Sequence, residues 1–267
     1  MSGVSAREQS ARPALRGIDA LGTQLLPRVV WSAATALVLA IVVTVIGWTV
    51  SAHHRGRQTA MSTLIYTTGN GQRATITLPD SSTVALDVAS HLEVPVDFVL
   101  GHRAVQLVGA GLFTVSHHSG TPFTVTAGSA TARVLGTSFM VRHYATDSLT
   151  TVAVRDGKVA VRSVVLTAAR QIVVGPTGIG KVQPADPAQF SFATGVLLLN
   201  GIPFPAAISE LDRWYDADIR LGDPVLASRR VAGEYAAGSL ADVADILAGT
   251  FNVRVVRHGR VLTLFSR

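Results

Sequence analysis

The chain has 267 residues, 48% hydrophobic and 15% charged, with a formal net charge of +6 and no cysteine. The length admits one to three domains, and the apolar excess with sparse charge points to a membrane segment joined to strand-rich domains. Missing cysteine excludes disulfides, thiolate metal sites and cysteine nucleophiles, and the positive charge is scattered Arg rather than a basic run, which argues against nucleic acid as a partner.

Residues 1–28 carry Arg7, Arg12, Arg16 and Arg28 and are too few to build a core, so they are expected to form a short tail. From Val29 to Val50 no charged residue occurs. About 20 apolar residues span a hydrocarbon core, which predicts one transmembrane helix within 29–52. Trp31 and Trp48 sit where indole rings favour the interface. A cleaved signal peptide would have a shorter apolar core and a better cleavage site than Ser51-Ala52. More Arg precedes the span than immediately follows it at Arg55 and Arg57, so the positive-inside rule predicts a cytoplasmic N-terminus and export of the rest.

Residues 60–183 read as strands. Ala74–Leu78 and Thr83–Val88 alternate with the period of a half-buried strand around a Leu78-Pro-Asp-Ser-Ser82 turn. Asp156-Gly157 between Thr151–Arg155 and Lys158–Arg162 predicts a tight hairpin. The module is expected to be all-β, a sandwich or a short solenoid.

A Pro-rich linker, Gln183–Ala188, leads to a second module over 190–267. Gly195–Gly201 predicts a buried strand, and Ile208, Leu211 and Tyr215 fall on one face of a helix that Pro205 can open. Ala217–Leu221 and Val231–Tyr235 are further strands. Ser239 predicts an N-cap with Asp242 three residues on, and Leu240, Val243 and Leu247 give the second helix its stripe. Asn252–Val256 and Arg260–Phe265 close as a hairpin around His258-Gly259. The order is βαβ followed by βαββ, a small α+β module.

Five ordered motifs of the first module resemble the FecR domain: Leu78-Pro-Asp-Ser-Ser82, Gly109-Ala-Gly-Leu-Phe-Thr-Val115, Pro122-Phe-Thr-Val125, Leu135-Gly-Thr-Ser-Phe139 and the Asp156-Gly157 segment. Ser81 stands where the family usually has Gly, and Gly109-Ala110-Gly111 replaces its common Gly-Glu-Ala. The second module is similar to the C-terminal domain of FecR-like proteins, itself like the short N-terminal domain of secretins and TonB-dependent receptors. It carries this resemblance on Gly195–Phe204, Glu210–Tyr215, Val231–Tyr235 and Ser239–Leu247, with Phe190 or Phe192 in place of the family's Trp. The resemblance implies a single-pass regulator of the bacterial inner membrane, relaying a signal from the periplasmic domain of a TonB-dependent receptor to an extracytoplasmic-function sigma factor. The tail of about 28 residues before the span contains no Trp, whereas the family usually has an anti-sigma domain of several helices there. A membrane-tethered binding or scaffold protein without transcriptional output is the alternative.

Candidate sites are few. The resemblance implies self-cleavage at Gly136-Thr137, the Thr137 hydroxyl attacking the Gly136 carbonyl in a strained turn; the plainer reading is a bulge in a strand. A small sheet leaves an unpaired edge, so a partner strand is expected along Val231, Gly233 and Tyr235 or along Val253 and Val255. His53-His54 and His117-His118 are adjacent pairs that chelate poorly in a strand. Asp212, Arg213 and Asp216 are expected on a solvated helix face. No cofactor or metal motif occurs, and no enzyme beyond self-cleavage is expected.

Overall fold

Alternating apolar and polar residues produce strands throughout the first module. The computed structural model describes residues 63–98, 102–236 and 238–267. The tail, the Val29–Val50 span and His53-His54 lie outside the described residues. No helix among the described residues is long and apolar enough to cross a membrane.

Thirteen strands are described before residue 186: β1 (Thr63–Thr67), β2 (Ala74–Thr77), β3 (Thr83–Leu86), β4 (His91–Pro95), β5 (Ala104–Thr114), β6 (Phe123–Ala127), β7 (Ala130–Val134), β8 (Ser138–His143), β9 (Thr150–Asp156), β10 (Lys158–Val161), β11 (Val164–Thr167), β12 (Arg170–Val174) and β13 (Gln183–Pro184). They form two sheets that share β5. Its first half pairs with β4 and, in parallel, with β6; its second half pairs with β3 and β8. The switch falls at Gly109, whose φ of 110° and approach to Ser90 leave no room for a Cβ, since one would stand 2.2 Å from Ser90 Oγ. One sheet runs β1-β4-β5-β6-β7-β10-β11, the other β2-β3-β5-β8-β9-β12-β13.

The core lies between these sheets, which makes the module a sandwich. Phe98, Phe113, Phe123 and Phe139 are buried at its centre, with Phe113 stacked on Phe139 at 5.4 Å and Phe98 edge-on to Phe123 at 5.7 Å. Each buried aromatic contributes about 2 kcal/mol by removal from water.

The Asp156-Gly157 hairpin is corrected. Gly157 does turn with φ 87°, but β9 pairs with β8 and β12, whereas β10 pairs with β7 and β11. The turn carries the chain from one sheet to the other, and Val152, Val154, Val159 and Val161 meet in the core from opposite sides. By contrast β2 and β3 do form an antiparallel hairpin, with Ser81 at φ 64° taking the conformation Gly would supply.

The linker joins the fold rather than spacing it. Gln183 and Pro184 pair with β12, and Asp186 caps a 3-10 helix over Pro187–Thr194. Then follow β14 (Val196–Pro203), α1 (Phe204–Tyr215), β15 (Asp218–Leu221), a 3-10 turn (Pro224–Ser228), β16 (Arg230–Ala236), α2 (Leu240–Phe251), β17 (Val253–His258) and β18 (Val261–Ser266). β14 pairs with β16, and β18 lies between β15 and β17. Ser239 and Asp242 form a capping box at the start of α2.

Both modules belong to one compact unit, Met61–Arg267. Sheet residues whose side chains point away from the sandwich core, Leu112, Met140 and Ala153, are buried together with Val88 of the turn after β3 and with Phe192, Leu197, Ile208 and Trp214 of the second module in a second core. The sheet containing β8 and β9 is therefore covered on both faces.

Candidate functional site

Gly136 and Thr137 lie between β7 and β8, just ahead of the register shift between Ser138 and Phe139 in the β8–β9 pairing. The segment after β5 runs alongside: Val115 N donates to Thr137 O at 3.0 Å and His118 N to Leu135 O at 3.1 Å. Gly136 is outside the positive-φ residues, so a strained turn is not what requires glycine here. Space is what requires it, because a Cβ would stand 2.9 Å from both Cβ and Nδ1 of His117. The Thr137 hydroxyl donates to Lys158 O at 2.9 Å. A cleft of about 540 Å³ is lined by His117, Arg133, Gly136, Thr137, Gly157 and Lys158 among others.

The expected partner residues fall on two separate sheets. Val231, Gly233 and Tyr235 belong to β16, which pairs on one side with β14; Val253 and Val255 belong to β17, which pairs on one side with β18. Both strands keep an unpaired edge among the described residues. Val231, Tyr235 and Val253 direct their side chains into the core, so what these strands offer is backbone rather than those side chains.

Spacing alone does not single out a third cluster, which sits between the modules. Arg142 of β8 lies opposite Ala110 of β5, which offers its guanidinium no cross-strand acid. Glu210 reaches it from α1 instead: Arg142 Nη1 donates to Oε2 at 3.3 Å and Nη2 pairs with Oε1. Arg213 Nη2 meets the same Oε1 at 2.9 Å. Both guanidiniums lie over the Tyr144 ring, at 4.8 and 4.2 Å. The Tyr144 hydroxyl donates to Asp87 Oδ2 at 3.3 Å and to Val88 O at 3.2 Å. Burial would raise the Glu210 carboxyl, but Arg142 and Arg213 hold it below the ordinary value. Burial pushes the Asp87 carboxyl up to about 6, and the Glu210 charge adds to the rise. Asp87, Arg142 and Glu210 line a cleft of about 370 Å³ with an apolar floor that includes Met140, Leu197 and Ile202.

The solvated helix face is corrected for two of its three residues. Arg213 turns into the module interface, and Asp212 Oδ1 accepts from Ile219 N at 2.7 Å, pinning the start of β15 to α1. Asp216 remains half exposed and pairs with Arg260. A helix stripe shows apolar residues but not which polar neighbours a second module will cover. His118 Nδ1 lies 3.2 Å from Ser116 O, and His117 faces Gly136, so the two rings do not converge.

A model of the family described as FecR protein matches residues 65–160. Two crystal structures of a putative anti-sigma factor from Parabacteroides distasonis ATCC 8503 are similar at 28% identity. The first has a TM-score of 0.67 and covers 77% of this chain and 100% of its own; the second has 0.66, 76% and 99%. Comparison with curated proteins finds no match. The matched span runs from β1 into β10 and includes Gly136, Thr137, Arg142 and Asp87. Residues 65–160 thus match the FecR family, and the chain is similar over most of its length to a putative anti-sigma factor.

Proposed function

We propose that the chain is a membrane-anchored signalling regulator of the anti-sigma type. Its exported unit receives the periplasmic domain of a TonB-dependent receptor, and its tail acts on an extracytoplasmic-function sigma factor across the inner membrane. The observation that carries this reading is the joining of a FecR domain to an α+β module with open strand edges, over a span that matches a putative anti-sigma factor almost end to end. A partner strand adds to β16 or β17, where main-chain hydrogen bonds supply affinity. Self-cleavage between Gly136 and Thr137 is part of the reading, supported by an open cleft at that bond.

The test is affinity capture of the full chain from its native membranes, followed by mass spectrometry. Recovery of a sigma factor together with a TonB-dependent receptor is the expected result. Recovery of envelope components with neither would overturn the regulator and leave the scaffold. Reporter fusions at Arg16 and after Arg267 check the topology, with activity in the periplasm expected only for the second.

A further inference from the structure

We infer that His117 is the residue that moves the proton when the Gly136–Thr137 bond is cut, an inference that rests on the self-cleavage reading above. Two backbone bonds, Val115 N to Thr137 O and His118 N to Leu135 O, enclose three residue steps on one strand against two on the other. That mismatch is a bulge, and it sets Ser116 and His117 opposite Gly136. Bulges of this kind re-aim a side chain. Here the imidazole is packed so close that a Cβ on Gly136 would stand 2.9 Å from His117 Nδ1.

Three further features converge on the same bond. His117 is exposed and, among the described residues, makes no hydrogen bond or ion pair, so its ring nitrogens are free to accept or give a proton. On another side stands Gly157, where a Cβ would lie 3.0 Å from Thr137 Oγ1 and 3.2 Å from Gly136 O; the missing side chain leaves both oxygens uncrowded. The cleft that holds the bond has three basic side chains on its lining, Arg133, Lys158 and His117. Arginine stays protonated and lysine is a strong ammonium, which leaves imidazole as the one of these types that ordinarily exchanges a proton near neutral pH.

The chemistry balances without any added oxidant or cofactor. Rotation of Thr137 away from Lys158 O frees its hydroxyl. Oγ1 forms a bond to the Gly136 carbonyl carbon, the carbon–nitrogen bond breaks, and the hydroxyl proton passes through the imidazole to the leaving nitrogen. The product is an ester between Gly136 and the Thr137 side chain, with a free amine on Thr137. A water from the cleft then adds to the ester carbonyl, giving a Gly136 carboxylate and restoring the hydroxyl.

The experiment follows cleavage of the full chain made by cell-free translation into lipid nanodiscs, by denaturing gel, between pH 5.5 and 8.5. Wild type should yield two fragments, the downstream one starting at Thr137, at a rate that falls as imidazole protonates. Thr137→Ala should stay whole. His117→Ala should cut roughly 100-fold more slowly, the usual size of a general acid–base contribution, lose the low-pH limb and recover part of its rate with added imidazole. His117→Gln, which keeps the packing, should also be slow, and His118→Ala should behave as wild type. If both His117 variants cut at the wild-type rate with the wild-type pH profile, the role of His117 is wrong while self-cleavage stands. If wild type itself stays whole, the cleavage reading fails and this inference goes with it.

Discussion

Asp87→Asn should stabilise the protein at neutral pH, although it removes a buried hydrogen-bonded carboxylate. Asp87 is only 6% exposed; Oδ2 accepts from Tyr144, and Oδ1 has no partner. Tyr144, Arg142 and Glu210 face it, and burial followed by the Glu210 charge pushes its carboxyl from 3.8 up to about 6. The folded state thus holds the proton more tightly than the unfolded state. The stability this gives is complete below pH 3.8 and is lost as pH rises through about 6. At about 1.4 kcal/mol for each tenfold change in proton affinity, the loss at neutral pH comes to ~3 kcal/mol. Asn carries no charge and can still accept from Tyr144, but its new N–H₂ needs a partner, so a net gain of about 2 kcal/mol is expected. In a unit of this size that raises Tm by roughly 4–8 °C. The assay is thermal unfolding of wild type and variant by circular dichroism at pH 4 and 7.5. The difference between them is the quantity to read, because Asp212 is also pushed up to about 6 by burial and tilts both profiles the same way. A variant less stable than wild type at pH 7.5, or a difference that does not change between the two pH values, would refute the reasoning.

Four other outcomes are expected. Glu210→Ala leaves Arg142 and Arg213 facing each other at the module interface without their shared acid, and should cost about 2 kcal/mol in urea unfolding, the partial exposure reducing the usual cost of a broken buried pair. Asp218→Asn, at an exposed pair with Arg220, should leave the urea midpoint unchanged. If the chain is cut after Gly136, its halves should separate on a denaturing gel yet co-elute in native size exclusion, because β5 of one half pairs with β8 of the other along six residues. In receptor-domain binding, Arg254→Pro should lose affinity if β17 is the docking edge, provided circular dichroism shows the fold retained.

Local pattern carried the elements. Alternation marked Ala74–Leu78 and Thr83–Val88 as paired strands, the Ser239–Asp242 spacing marked the start of α2, and the βαβ-βαββ order of the second module could be written from its apolar stripes. The Gly136–Thr137 bond was singled out by motif, and the bulge that brings His117 to it came only from the fold. Periodicity says which residues are buried and not what they are buried against. Asp156-Gly157 showed a turn, but only the core decided that the turn joins two sheets. Leu112, Met140 and Ala153 sit on the face away from the sandwich core, and only the docking of the second module explains their burial. The Arg142–Glu210 pair spans 68 residues, and no local signal connects a strand cation to a helix acid at that distance. A charge is buried because a partner arrives from elsewhere in the chain, so the network around Asp87 was decided by tertiary structure alone.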